Sequence, residues 1–399
     1  MSLSREDRSL LTEWWFTVDR VQLSAIGALL LTGLVISLAA SPSVAMSKDL
    51  EVFYFVQRHV VFAIAAMLVI LVVSLQSPTT VRRVSLVLYI LSVAALVGVL
   101  AFGIEINGAR RWISILGVSV QPSEVAKPAF VVLSGWAFGE AQKRKDMPGL
   151  PIAVALYIIL AGFLLMQPDI GQTALISAVW GTIFLLAGLP LIWFSLFIGA
   201  GAIGAFIAYW NLPYVRWRID QYFAPVVDEN SQIGQARESF INGGFFGRGP
   251  GEGTIKTTLP DAHTDFIFAV VAEEYGVLAC ITLLSLFAVI VYRALARALL
   301  EDDLGIRYGI AGLALVFGYQ ALINMGVNVG LLPAKGMTLP LISAGGSSMI
   351  GIAVTLGMLL ALSRRRPRMS GVRMPSSHPQ NSTKTIPDPN LRFINELSS

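Results

Sequence analysis

"TDFIFAVVAEEYGVLACITLLSLFAVIVYRALA" runs from Thr264 to Ala296. Apart from Asp265, Glu273, Glu274 and Arg293 it is free of charge, and it is far too long for an ordinary globular helix. As one α-helix it would measure ~50 Å at 1.5 Å per residue, longer than the ~30 Å of hydrocarbon in a bilayer. It is therefore expected to tilt or to project beyond the membrane. An acid in such a stretch needs a reason, because a charge in hydrocarbon is costly and is usually partnered or functional.

The rest of the chain repeats the pattern. Of its 399 residues 55% are hydrophobic and only 14% charged, with a mean hydropathy of +0.69. A soluble domain carries about 25% charged residues. Apolar runs of spanning length give about ten membrane segments. They are Val21–Ala40, His59–Ser74, Val84–Gly103, Ala126–Ala141, Leu150–Met166, Ile170–Leu189, Leu191–Trp210, Thr264–Ala296, Gly309–Leu331 and Ile342–Leu362. The fold class is an all-α polytopic membrane protein. A polar N-terminal segment (1–20) without signal-peptide layout precedes the transmembrane domain (21–363). A Ser-, Pro- and Asn-rich tail (364–399) reads as disordered.

Basic residues orient the bundle. "QKRK" (Gln142–Lys145) and "SRRRPR" (Ser363–Arg368) flank helix ends, which places both termini in the cytoplasm. The further cations then gather in two outer loops, Ile104–Val125 and Asn211–His263. The second, lying between the seventh and eighth segments, is about 50 residues long, and loops of that length usually carry function or are disordered. The single cysteine, Cys280, sits in an apolar run and reads as a small buried hydrophobe. Three separated histidines give no metal-ligand spacing.

Chemistry is confined to a few stretches. In "EINGARRWISILGVSVQPSEVAKPAF" (Glu105–Phe130), Glu124 and Lys127 share a helix face. Two readings stay open: an i,i+3 ion pair with two snorkelling arginines, or an anion cradle of Arg110, Arg111 and Lys127. "GFFGRGPGEG" (Gly244–Gly253) lacks the strand–helix context of a nucleotide site and reads as a flexible loop, from which Arg248 and Lys256 can still reach an anion. Asp169, after Pro168, reads as a helix N-cap. Gly345-Gly346-Ser347-Ser348 reads as close helix packing. Asp265 is expected in the first turn of the eighth helix, either complementing the helix dipole or acting as a catalytic carboxylate. Glu273 and Glu274 lie deeper. Nine residues separate Asp265 from Glu274, so they face opposite ways, and Asp265 is the one better placed beside the arginines.

"NGARRWI" (Asn107–Ile113), "QPSEVAK" (Gln121–Lys127), "QPDIGQT" (Gln167–Thr173), "HTDFIFAVVAEEYG" (His263–Gly276) and "GMTLPLISAGGSS" (Gly336–Ser348) occur in one order. Together they resemble the SEDS family (FtsW/RodA/SpoVE), over about Val18 to Leu362. "PAKGMTLP" (Pro333–Pro340) and "WWFTVDR" (Trp14–Arg20) are most similar to its FtsW branch, whereas Ala344 stands where the family often has Tyr. The resemblance implies a peptidoglycan glycosyltransferase that polymerises lipid II at the outer face of the cytoplasmic membrane during division. It implies Asp265 as general base, with Arg110, Arg111, Lys127, Arg248 and Lys256 on the undecaprenyl pyrophosphate leaving group. Glu124, His263, Thr264, Lys335 and Ser343, in or beside the matched runs, are implied substrate contacts. It further implies a class B penicillin-binding transpeptidase (FtsI-like) and other divisome proteins as partners, a septal location, and no nucleic acid. No metal ligand set is expected from the chain, and a divalent cation (Mg2+ or Mn2+) is the one cofactor the pyrophosphate chemistry admits. The alternatives are a RodA-like elongation polymerase and a lipid II flippase, for which Glu273 and Glu274 would serve as relay acids.

Overall fold

The computed structural model describes residues 9–47, 49–106, 109–115, 118–144, 146–223, 231–334 and 336–365. The tail from 366 onward, Lys335, Lys145 and the Asn107-Gly108 pair lie outside the described residues. Each of the ten expected segments is a helix: α2 (Arg20–Ser47), α3 (Tyr54–Ser74), α4 (Pro78–Phe102), α5 (Pro122–Lys143), α6 (Gly149–Met166), α7 (Ile170–Leu186), α8 (Leu191–Asn211), α11 (Ile267–Leu299), α12 (Leu304–Asn328) and α13 (Gly346–Ser363). Eight are long and apolar enough to cross a membrane, α7 is a shorter apolar helix, and α5 carries the most buried polar groups. A short helix α1 (Leu10–Thr17) precedes them, with Trp14 buried and its indole N–H donating to Ser74 Oγ (2.9 Å).

Burial ranks the helices. α12 and α13 are 78% and 72% buried along their most apolar stretch, whereas α8 is 0% buried. It rests on its neighbours through Phe194 and Phe197 and presents the rest of its apolar surface to lipid. The centre is α5, and it is glycine that lets the others approach it. A Cβ on Gly135 would lie 2.7 Å from Gly309 N of α12, and one on Gly351 of α13 would lie 2.7 Å from the Glu124 carbonyl. Without a hydrophobic drive between helices in lipid, such backbone proximity and its dispersion contacts hold the bundle. Gly135→Ala is accordingly expected to lower thermal stability in detergent by about 1–3 kcal/mol. Gly98→Ala on α4, where a Cβ meets nothing within 4 Å, should be neutral or mildly stabilising.

Three features add to or depart from the reading of the sequence. The loop after α4 carries a small antiparallel sheet of β1 (Ile104–Ile106), β2 (Ala109–Ile115) and β3 (Val118–Val120), in that order. The long loop after α8 contains α9 (Pro213–Tyr222) and α10 (Gln232–Gly243), the second capped by Ser231. Finally, α11 is not one continuous helix. Gly276 (φ 81°, ψ 176°) breaks it into two pieces.

The break explains the glycine run, which is not a loose loop. A continuous helix would pair the Val277 and Leu278 N–H groups with the Glu273 and Glu274 carbonyls. Instead Val277 and Leu278 donate to the carbonyls of Gly244 and Phe245 (3.0 and 3.3 Å), while Arg248 and Gly249 donate to those of Glu273 and Glu274 (2.9 and 3.0 Å). Four backbone groups freed by the kink are thus re-paired by the loop, as a low-dielectric setting demands. Gly276 is required twice: its φ suits no L side chain, and a Cβ would overlap the Phe245 carbonyl.

Candidate active site

Asp265 does not lie in the first turn of α11. It precedes the helix by two residues, in a turn closed by Asp261, whose carbonyl accepts from the N–H groups of Thr264, Asp265 and Phe266 (3.0–3.2 Å). The three carbonyls from His263 to Asp265 are each pinned from outside. Ala344 N donates to His263 O (3.0 Å), Ser343 Oγ to Thr264 O (2.5 Å), and Asn324 and Asn328 Nδ2 to Asp265 O (2.8 and 3.0 Å). Asn324 also donates to Met337 O (2.6 Å), so one α12 side chain ties this turn to the segment that leads into α13. The backbone is fixed by its oxygens, through bonds separate from the Asp265 side chain.

It is aimed into a cavity of about 460 Å³ whose walls include Arg111, Gln121, Asp261, Asp265 and Thr338. Gly336, a further wall residue, comes close enough that a Cβ there would sit 3.7 Å from Asp265 Oδ2. Arg111, on β2, donates to Pro168 O (2.6 Å) and Gln167 O (3.4 Å) and lies 3.8 Å from Asp169 Oδ2. Asp169 is the N-cap of α7, as its sequence context indicated, accepting from Gln172 N. The guanidinium is thereby locked on the α6–α7 link, and Arg111 is among the residues lining the cavity, which suits it to an oxyanion. Thr264 lines the same cavity, as do Gly345, Ser347 and Ser348, so the small-residue run at the head of α13 does more than pack helices.

The other expected site residues lie elsewhere. Lys127 is buried and its ammonium donates to Glu124 (3.0 Å), Gln172 (3.0 Å) and Gln320 (2.9 Å), which uses all three protons. Glu124 also accepts from Gln172 Nε2 (2.8 Å). This network supports the cavity without lining it, because Gln320 Nε2 donates to the carbonyl of Thr338 (3.2 Å). Arg110 is exposed and paired with Glu105 (3.2 Å). Arg248 donates to Thr254 and lies 3.6 Å from Glu273, and Lys256 is buried against Glu274 (2.5 Å), so both cations are engaged with acids and neither lines the cavity. Ser343 is buried, its hydroxyl committed to Thr264 O and Leu339 N, and His263 packs its ring on Phe55 (4.7 Å). Each of these was expected at the substrate, and none of them is among the residues lining the cavity of Asp265. Lys335 lies outside the described residues. Asp261, Gln121, Asn324 and Asn328 were not among the residues expected from the sequence. Two asparagines four apart in an apolar helix were the available signal for the last pair.

Comparison with known proteins decides the family. Residues 20–368 match the family FtsW/RodA/SpoVE, described as "Cell cycle protein". The chain belongs to the FtsW/RodA/SpoVE family. A family relative from Caulobacter vibrioides, a "probable peptidoglycan glycosyltransferase FtsW", is 42% identical over 371 residues, 93% of this chain and 95% of its own. Another of the same description, from Halomonas elongata, is 36% identical over 87% and 89%. Among FtsW/RodA/SpoVE structures, a chain of a peptidoglycan synthase complex that coordinates polymerization and crosslinking superposes with a TM-score of 0.71 at 28% identity, covering 87% of this chain and 97% of that one. RodA of Thermus thermophilus, a rod shape determining protein, superposes at 0.64 with 26% identity, covering 88% and 99%.

Proposed function

We infer that the chain is a peptidoglycan glycosyltransferase that polymerises lipid II, a disaccharide-peptide on undecaprenyl pyrophosphate, into glycan strands. The observation that carries the mechanism is that Asp265 and Arg111 line one cavity. An acceptor hydroxyl attacks the donor's anomeric carbon, and Asp265 takes the hydroxyl proton as the new C–O bond forms. The bond from that carbon to the pyrophosphate oxygen breaks, and the electron pair leaves on undecaprenyl pyrophosphate. Arg111 meets the charge that develops there, and a fixed donor in such a role contributes about 3–4 kcal/mol. Because Arg111 also fastens the α6–α7 link, Arg111→Lys separates the roles: lysine keeps the charge but loses the fork. Its polymerisation rate is expected to fall about 10²-fold, with substrate binding reduced less, as measured by initial rates across lipid II concentrations.

Asp261 and Asp265 both line the cavity, and no group of three or more candidate ligands exists among the described residues. Two carboxylates fit a hard divalent cation whose other ligands are water and the substrate's own phosphate oxygens. Such an ion, when bound, neutralises leaving-group charge.

The basic runs at Gln142–Lys145 and Ser363–Arg368 support cytoplasmic termini and, with them, a cavity at the outer face of the inner membrane. The FtsW-named relatives support service at the division septum with a class B penicillin-binding transpeptidase and other divisome proteins. The flippase reading loses its main feature, since Glu273 and Glu274 are buried and hold a loop. The deciding experiment supplies lipid II to the purified chain with its transpeptidase partner in nanodiscs. Glycan strands are expected. Translocation of a fluorescent lipid II in liposomes without any polymer would overturn the reading, and sidewall rather than septal placement of a tagged copy would favour the elongation role.

A further inference from the structure

The end of the bundle far from Asp265 carries a cavity that the polymerisation chemistry leaves unused. It has a volume of about 120 Å³ and is lined by Arg82, Trp136, Glu140, Asp303, Ile306 and Leu362 among others. These residues stand near the start of α4, in the last turns of α5, at the head of α12 and at the end of α13. Gln121, Asn324 and Ser348 bring the opposite ends of α5, α12 and α13 to the Asp265 cavity. Along α5, Gln121 and Glu140 are roughly 28 Å apart at 1.5 Å per residue, close to the ~30 Å of hydrocarbon in a bilayer. With the Asp265 cavity at one headgroup layer, this one lies at the headgroup layer of the other leaflet.

Its polar groups are of two kinds. Arg82 is exposed, with its guanidinium 5.3 Å from the Trp136 ring centroid. The indole N–H of Trp136 is buried and has no hydrogen-bond partner among the described residues. Buried polar groups in that state are rare and need a ligand or a water to explain them. A charged donor and a neutral one together fit the free oxygens of a phosphodiester.

The same lining holds two carboxylates. Asp303 is satisfied: one oxygen accepts from Lys143 Nζ (2.8 Å), the other from Ile306 N (3.1 Å) as the N-cap of α12. Glu140 is held less closely, with Lys143 Nζ 3.7 Å from one oxygen and Arg144 Nε 3.6 Å from the other, both beyond good hydrogen-bond length. A simple anion entering here would face these acids, whereas a ligand carrying a phosphate and an ammonium answers both kinds of group. Gly305 keeps the space open, since a Cβ there would sit 3.3 Å from Asp303 Oδ1 and 3.8 Å from Trp136 Cδ1, the carbon beside the indole nitrogen. Val132, Ile306 and Leu362 supply apolar wall for the glycerol and first acyl carbons.

We propose that this cavity binds the headgroup of an aminophospholipid, its phosphodiester on Arg82 and the Trp136 N–H and its primary ammonium on Glu140. In the test, the purified full chain in detergent is mixed with dioleoyl phosphatidylethanolamine, phosphatidylglycerol or phosphatidylcholine. Native mass spectrometry counts the retained lipid, and the unfolding midpoint is recorded. One ethanolamine lipid per chain is expected to be held about tenfold more tightly than either competitor and to raise the midpoint. The choline lipid tests the ammonium, because its quaternary nitrogen has no proton to donate. Arg82→Gln should weaken the ethanolamine lipid about tenfold, and Trp136→Phe about threefold. Arg82 is exposed, so Arg82→Gln decides the question even if Trp136→Phe fails to fold. Glu140→Gln should erase the preference for ethanolamine while phosphatidylglycerol binds no more weakly, a switch that a merely structural acid would not produce. Equal retention of all three lipids, or unchanged retention in Arg82→Gln, overturns the site. Tighter holding of phosphatidylglycerol by the wild-type chain overturns the ammonium contact, and binding of soluble glycerophosphoethanolamine as tight as that of the lipid overturns the membrane as its source.

Discussion

Asparagine in place of Asp265 abolishes glycan polymerisation, with the rate falling about 10²–10⁴-fold, and the chain folds as before. The two halves of this expectation come from different parts of the residue. Its carbonyl is held by Asn324 and Asn328, and its neighbours' carbonyls by Ser343 and Ala344. None of these bonds involves the carboxylate, so the turn should survive an isosteric change. The amide can accept a hydrogen bond from the sugar hydroxyl but cannot take its proton. Asp265→Glu probes position instead: it keeps the base and displaces it by one methylene, and a shift of ~1 Å in a reacting group is worth about 10²-fold. Glycan strands resolved on gels, together with thermal unfolding in detergent, check both variants. Polymer from Asp265→Asn at the wild-type rate would remove this carboxylate from the mechanism. A collapsed unfolding midpoint would instead make it a structural acid.

Helix existence was legible because a spanning helix announces itself by length and apolarity, and all ten expected segments are present. Asp265 was legible as an acid at the mouth of such a helix. The fates of the other charged residues were not, because they depend on partners distant in sequence. Lys127 and Lys256 look alike in the sequence, as cations near the loops between apolar segments. The first is consumed by Gln172 and Gln320, 45 and 193 positions away, and the second by Glu274 and the carbonyl of Ala39, 217 positions away. The break at Gly276 was hidden for a similar reason. A lone glycine is tolerated in a membrane helix, and only the loop at 244–249, which re-pairs the freed backbone groups, makes the kink affordable. The small sheet at 104–120 escaped because strands of three to seven residues carry little periodic signal.

Removing either Glu274 or Lys256 should unseat the loop that delivers Asp265, whereas removing both should do less harm than the two losses added. Glu274 accepts from Lys256 Nζ (2.5 Å) and Gly251 N (3.1 Å), and Lys256 also donates to the carbonyls of Ala39 (3.0 Å) and Gly251 (2.9 Å). Beside this pair, Glu273 accepts from Thr254 N (2.8 Å) and Ile255 N (3.2 Å). The loop leaves this clamp at Lys256 and reaches the Asp265 turn within a few residues, at Asp261. Both members of the pair are buried, so Lys256→Met leaves a carboxylate without its countercharge and Glu274→Gln leaves an ammonium among carbonyls. Each single change is expected to cost about 3–5 kcal/mol, seen as a lowered unfolding midpoint and as new protease cleavage between Gly244 and Thr257. Polymerisation should fall with it, because the turn loses its approach rather than its base. In Lys256→Met with Glu274→Gln no buried charge is orphaned, so the combined loss should fall short of the sum by at least 1 kcal/mol or so. Strictly additive losses would mean that the two residues act separately. A defect in lipid II translocation with the loop intact would return Glu274 to the role of a transport acid.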